Sequence, residues 1–273
     1  MKSLRITFAA FLAFALVPAE SVTLAAPKAF AAEVAVQHAL APSGALHVGV
    51  YRGSPSSIIE GPTPQDAKGV GYDLGRELAQ ALGVPFEPVV FPANAPLLKA
   101  LAAGEVDIVF TNATPERAKE MDFSQNFMAV EKSFLVPPGS PLTTIADATK
   151  PGLKIGVSKG SSTARELKEI YPSMTTVEID TLKHAGEMLA KHEVDAFATN
   201  NAILYQVSDG VPGSVVLPGH WGMEHFGAAI PHGRMAGMPY VRDFMAKAMA
   251  DGSVDKAIKR AGLRGTVPEN GKE

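Results

Sequence analysis

The residues best equipped for chemistry gather in TNATPERAKEMDFSQNF, Thr111 to Phe127. Thr114 suits a helix N-cap and Pro115 the first helical turn, so Arg117 is expected there, beside backbone N–H groups without helical partners. A guanidinium at such a place grips a carboxylate with two parallel hydrogen bonds, which lysine cannot copy. Spacing alone leaves a second role open, a surface arginine paired with Glu116, Glu120 or Asp122. A second candidate is GVSKG, Gly156 to Gly160, which matches the G-x-S-x-G nucleophile elbow with Ser158 at its centre. A third is HWGMEHFG, His220 to Gly227, where Trp221, Glu224 and His225 are candidates for ligand contact. His220 and His225 lack an evident third metal ligand, and HEVDA at His192 lacks the second histidine of a zinc helix. No metal and no cofactor is expected.

These stretches belong to a repeated frame. LAAGEVDIVFTN, Leu101 to Asn112, is written again as LAKHEVDAFATN, Leu189 to Asn200. Upstream of each lies a matched strand, LHVGVYRGS from Leu46 and LKIGVSKGS from Leu153. Helices fit between them: YDLGRELAQALG places Leu74, Leu78 and Leu82 on one face and stops at Gly83, APLLKALAAG stops at Gly104, and STARELKEIY fills the same slot in the second copy. Strand and helix alternating twice predict an α/β protein of two similar lobes, each a mostly parallel sheet flanked by helices.

In such sheets ligands bind outside the carboxyl ends of the strands. That rule selects Tyr51, Arg52, Thr111 and Asn112 from the first lobe. From the second it selects Ser158, Lys159, Gly160, Ser161, Thr199 and Asn200. Facing lobes would converge these turns on one cleft, so the doubled spelling gives each lobe a Thr-Asn strand end to present to a shared ligand. The repeat also bears on GVSKG, because the first lobe writes GVYRG at the equivalent turn without a serine. The turn itself accounts for the glycines, and hydrolysis is set aside.

Bulk properties narrow the partners. The 273 residues are 46% hydrophobic and 19% charged, with a formal net charge of -3 and no basic run, which argues against nucleic acid. Lys2 and Arg5 precede an apolar run from Ile6 to Val17, too short to span a bilayer but suited to a signal peptide, with cleavage expected at Ala29 to Ala31, Thr23 to Ala25 being the alternative, and residues 1–31 removed. There is no cysteine, which excludes disulfides, thiolate chemistry and a lipid-bearing N-terminal Cys. A soluble periplasmic monomer is expected. Met235, Met238, Met245 and Met249 read as core packing of the last helix.

GVGYDLGRELAQALGV, LLKALAAGEVDIVFTNATPERAKEMDFS, GLKIGVSKGSSTARELK and EVDAFATNNAILY, in this order, resemble family 3 of the bacterial extracellular solute-binding proteins, the amino-acid-binding type of ABC importers. The resemblance covers about Leu46 to Gly262. It implies the type II periplasmic binding protein fold, two α/β lobes joined by two hinge crossings and closing on a solute destined for a membrane permease. Lobe one is expected over residues 43–128 and 228–273 and lobe two over 129–226, with hinges near 127–131 and 221–227. Arg117 matches the family's arginine for the ligand carboxylate, and Asn112 an assisting Thr or Ser. Ser161, Ser162 and Thr163 match the second-lobe turn that holds the same carboxylate.

Asn200 departs from the family's aspartate, which pairs with the ligand's α-ammonium. Asparagine supplies no charge there. The family's Y-x-P-F segment is replaced by YRGSPSSI, which adds Arg52. With Arg52, Arg117 and Lys159 in reach and no obvious cleft carboxylate, a small organic acid fits at least as well as an amino acid. Two rival readings follow from the resemblance: an enzyme on this scaffold, like the cyclohexadienyl dehydratases, using Glu224 or His225 as its acid, or a ligand-reporting partner of a membrane sensor.

Overall fold

The computed structural model describes residues 27–63 and 66–267. Most of the expected leader lies outside them, and its last residues enter helix α1 (Pro27–Leu40). Strand β1 (Leu46–Tyr51) pairs in parallel with β2 (Phe86–Phe91), and a parallel bridge from Val48 to Ile108 carries it onto β3 (Val109–Asn112). The connections are α2 (Val70–Leu82) and α3 (Asn94–Ala102). Leu74 and Leu78 are fully buried, and each contributes about 2 kcal/mol by leaving water. Gly83 ends α2 at φ 69°, the left-handed turn that favours glycine, with its amide returned to the carbonyls of Ala79 and Gln80.

The same pattern recurs after β4 (Met121–Val136) and the short α4 (Ile145–Ala148). Strands β5 (Lys154–Ser158), β6 (Thr175–Ile179) and β7 (Ala196–Asn200) are linked by α5 (Ser162–Ile170) and α6 (Leu182–Ala190). Then come α7 (Asn201–Asp209), β8 (Val215–Val216), β9 (Gly222–Pro231), α8 (Met238–Ala250), α9 (Ser253–Ala261) and β10 (Thr266–Val267).

Two long antiparallel strands tie the lobes together. β4 and β9 pair from Met121–Pro231 to Lys132–Gly222, with register shifts around Asn126. β3 joins the free edge of β9, while β7, β5 and β6 continue outward from the far end of β4. The sheet is therefore parallel at its outer strands and antiparallel around the crossing pair. Apolar cores form separately on the two sides of the cleft. One gathers α2, α8 and α9 on β1, and others flank β5 and β7.

Three expectations change. Thr114 does accept the amide of Arg117, at 3.3 Å, but the helix expected from Pro115 is only a 3-10 turn, Arg117–Lys119, because β4 begins at Met121. Met238 and Met245 are core residues, whereas Met235 and Met249 are 52% and 37% exposed. The last helix is α9, not the methionine-bearing α8.

Candidate functional site

The repeated E-V-D has a backbone task. Asp107 Oδ2 accepts the amide of His47 in β1 at 2.8 Å, and Asp195 Oδ2 accepts the amide of Lys154 in β5 at 2.7 Å. Each carboxylate fastens its strand to the neighbour, and each strand then runs to a buried asparagine, Asn112 or Asn200. Both asparagines reach the wall of a cavity of about 50 Å³ between the lobes. That is room for a few water-sized groups in this conformation.

The lobes meet across it. Asn112 Nδ2 donates to Ser162 Oγ at 3.1 Å, and a Cβ placed on Gly160 would lie 3.2 Å from that of Ala95. The cleft is closed.

Arg117 is 7% exposed and lines the cavity. Its Nη1 donates to Thr111 Oγ1 at 3.0 Å and to the Asn112 carbonyl at 2.9 Å. Among the described residues Nε and Nη2 have no hydrogen-bond partner, and Arg117 forms no ion pair with Glu116, Glu120 or Asp122. Asp122 pairs instead with His232 at 3.1 Å. Burial pulls the Arg117 guanidinium below its ordinary value and nearby Glu224 pulls it back; a guanidinium is a cation in proteins whatever its surroundings. Facing it, Ser161 caps α5 by accepting the amide of Ala164 at 3.2 Å, which leaves the amides of Ser162 and Thr163 as the orphan donors of that helix start. Tyr51 also lines the cavity; burial raises its phenol above the ordinary value, so it is a neutral hydroxyl there.

The other sequence-selected residues divide. Ser158, Ser161, Ser162, Thr111, Asn112 and Asn200 line the cavity with Tyr51 and Arg117. Lys159 lines it at the mouth, 64% exposed at its side chain and 3.6 Å from Asp180. Arg52 does not line it: its guanidinium points outward, 61% exposed, and pairs with Glu60 at 2.9 Å. His225 does not line it either. It stands between Glu224 and Phe226 in β9, which do, and its amide serves the site, donating to Asn112 Oδ1 at 3.1 Å. Thr163 does not line it: it is wholly buried, with no partner for its hydroxyl among the described residues. Trp221 packs in a core of the second lobe and bonds the Ser133 carbonyl.

The expectation of a cleft without a carboxylate is overturned. Glu224, 7% exposed, lines the cavity and accepts Asn200 Nδ2 at 2.7 Å. Asp180 stands at the mouth. Asn94 and Asp180 were absent from the selection although they follow the carboxyl ends of β2 and β6; the strand-end rule finds them once those two strands are recognised. No histidine lines the cavity, so Ser158 has no imidazole base there. Among the described residues no cluster of His, Asp or Glu is placed to hold a metal, and no helix is long and apolar enough to cross a membrane.

Comparison with known proteins extends this picture. The chain is 26% identical over 209 residues to the ABC transporter glutamine-binding protein GlnH of Bacillus subtilis, covering 74% of this chain and 75% of the relative. A solved structure of the solute receptor for L-cysteine of Neisseria gonorrhoeae superposes with a TM-score of 0.74 at 23% identity, covering 83% and 92% of the two chains. An ancestral amino-acid-binding protein described as a precursor of cyclohexadienyl dehydratase gives 0.69 at 26% identity, covering 80% and 96%. The fold is that of the type II periplasmic binding proteins. The sequence profile of one family matches residues 46–262, and the chain belongs to that family, the bacterial extracellular solute-binding proteins, family 3.

Proposed function

We propose that this protein is exported to the periplasm and captures an amino acid or related small carboxylate-bearing solute for the permease of an ABC importer, acting as a monomer. One observation carries the reading: a buried arginine whose Nε and Nη2 have no hydrogen-bond partner among the described residues, facing the first amides of α5 that the Ser161 cap leaves unbonded. A carboxylate seated there takes two guanidinium bonds from one lobe and amide bonds from the other. It therefore binds the closed form better than the open one, which is what drives closure. The segments 127–131 and 221–227 lie side by side where β4 and β9 cross, a place where small backbone changes swing the described residues before and after this crossing against 132–220.

Calorimetry against the standard L-amino acids and small organic acids tests this. Arg117→Ala is expected to weaken the tightest ligand at least ~100-fold, the scale of removing one partner of a buried charge pair. Unchanged affinity refutes the reading. The buried acid Glu224 gives the dehydratase-like reading a specific footing, since that chemistry needs a cleft acid. Product formed from prephenate or arogenate by the purified protein would select it, and tight binding without turnover would reject it.

A further inference from the structure

The cavity contains two charged groups that do not pair with each other. Glu224 and Arg117 both line it and both are 7% exposed, yet no ion pair within 4.0 Å joins them. A buried charge without a counter-charge is unfavourable unless a guest completes it. On the Glu224 side only one oxygen is satisfied. Oε2 accepts from Asn200 Nδ2 at 2.7 Å, and the carboxylate takes no other hydrogen bond among the described residues.

Asn200 is fixed in turn. Its Oδ1 accepts the amide of Ile203 at 3.1 Å as the N-cap of α7, which only the carbonyl oxygen can do. The cap settles the amide's orientation and leaves Nδ2 to hold Glu224. The backbone of Glu224 is held as well, opposite Val130 in the β4–β9 ladder. An aspartate at position 200 would put a second carboxylate against the first, so the asparagine and the glutamate fit as a pair.

We propose that Glu224 is a specificity-determining residue that receives a protonated amine of the guest, and that Asn200 is its positioning residue. The inference rests on the reading that Arg117 takes the guest's carboxylate. It names the guest as a small zwitterion, with amine and carboxylate spaced to reach the two walls, and not a dicarboxylate. The negative charge comes from the crossing strand β9, not from the end of β7.

The test compares the tightest-binding L-amino acid with its 2-hydroxy acid, which differs only at the amine. Wild-type protein is expected to prefer the amino acid at least ~30-fold, and Glu224→Gln, nearly isosteric, to lose that preference while still binding the 2-hydroxy acid. Wild-type affinity for the amino acid should fall as pH rises through the amine's own titration, a dependence that needs no variant and that Glu224→Gln should lack. Asn200→Ser keeps a capping oxygen but removes the amide donor, so it should reduce the preference while lowering the melting temperature less than Asn200→Ala does. Equal wild-type affinity for the two ligands, an unchanged preference in Glu224→Gln, or no binding of any amino acid overturns the proposal. If Arg117→Ala still abolishes binding in those cases, the carboxylate reading survives its loss. If Arg117→Ala binds normally, it is that reading which has failed.

Discussion

Strands β3 and β7 end alike, on Thr-Asn, and each is fastened by an aspartate to the strand beside it. Their surroundings differ. Asp107 is 4% exposed at its side chain and gathers the His47 amide and ring with the Arg234 guanidinium, whereas the Asp195 bond to the Lys154 amide is solvent-exposed. Asn112 reaches out of its own lobe to Ser162, while Asn200 turns inward, capping α7 and holding Glu224. The repeat has kept what builds the backbone and has diverged in what each side chain touches. Each lobe needs the same strand, but the cavity needs different groups from its two walls.

The comparison is open to challenge at several points. Asp107→Ala should cause the largest loss, about 3 kcal/mol, because it strands the half-buried Arg234 guanidinium together with the His47 amide, while Asp195→Ala should cost about 1 kcal/mol for one exposed bond. Equal shifts in urea midpoint would show that the two clamps are equivalent after all. Next, Asn200→Ala should cost about 2–3 kcal/mol, from a lost cap and an undersatisfied carboxylate, and Asn112→Ala about 1 kcal/mol. The order reverses for shape. Ligand-free Asn112→Ala should be the more open in small-angle scattering, and Asn200→Ala should not.

The smallest effect concerns the two ends of the crossing strands. At the lobe-one end His232 pairs with Asp122, and that hydrogen bond raises the imidazole above its ordinary value. A raised histidine stabilises the fold fully below its unfolded value of about 6.5 and loses that contribution as pH rises through the folded one. His232→Gln should therefore lower the melting temperature below pH about 6.5 and flatten its fall from there up through the raised folded value, with no change at higher pH. At the lobe-two end Lys132 is buried against Glu166 and beneath the Trp221 ring, 4.9 Å from its centroid. Lys132→Met should alter stability evenly across the same range.

Much of this was legible in the residue order because it rests on short-range patterns. The i, i+4 leucines and Gly83 mark α2, and the repeated octapeptide marks the strands whose ends line the cleft. The TPER segment marks Arg117, and membership of its family follows from these together. What failed was facing and partnership. Along a strand side chains alternate, so neighbours part company: Tyr51 lines the cavity and Arg52 does not, Glu224 and Phe226 line it and His225 does not.

Sequence by itself therefore determined the paired lobes and the strand ends that line the cleft, which follow from local periodicity and the repeat, and it singled out Arg117, whose carboxylate role is what the family resemblance implies. Only the tertiary structure decided that the cleft contains a carboxylate. Glu224 enters it through the register of β4 against β9 and through an amide donated from position 200, contacts between segments far apart in the chain that no local pattern encodes.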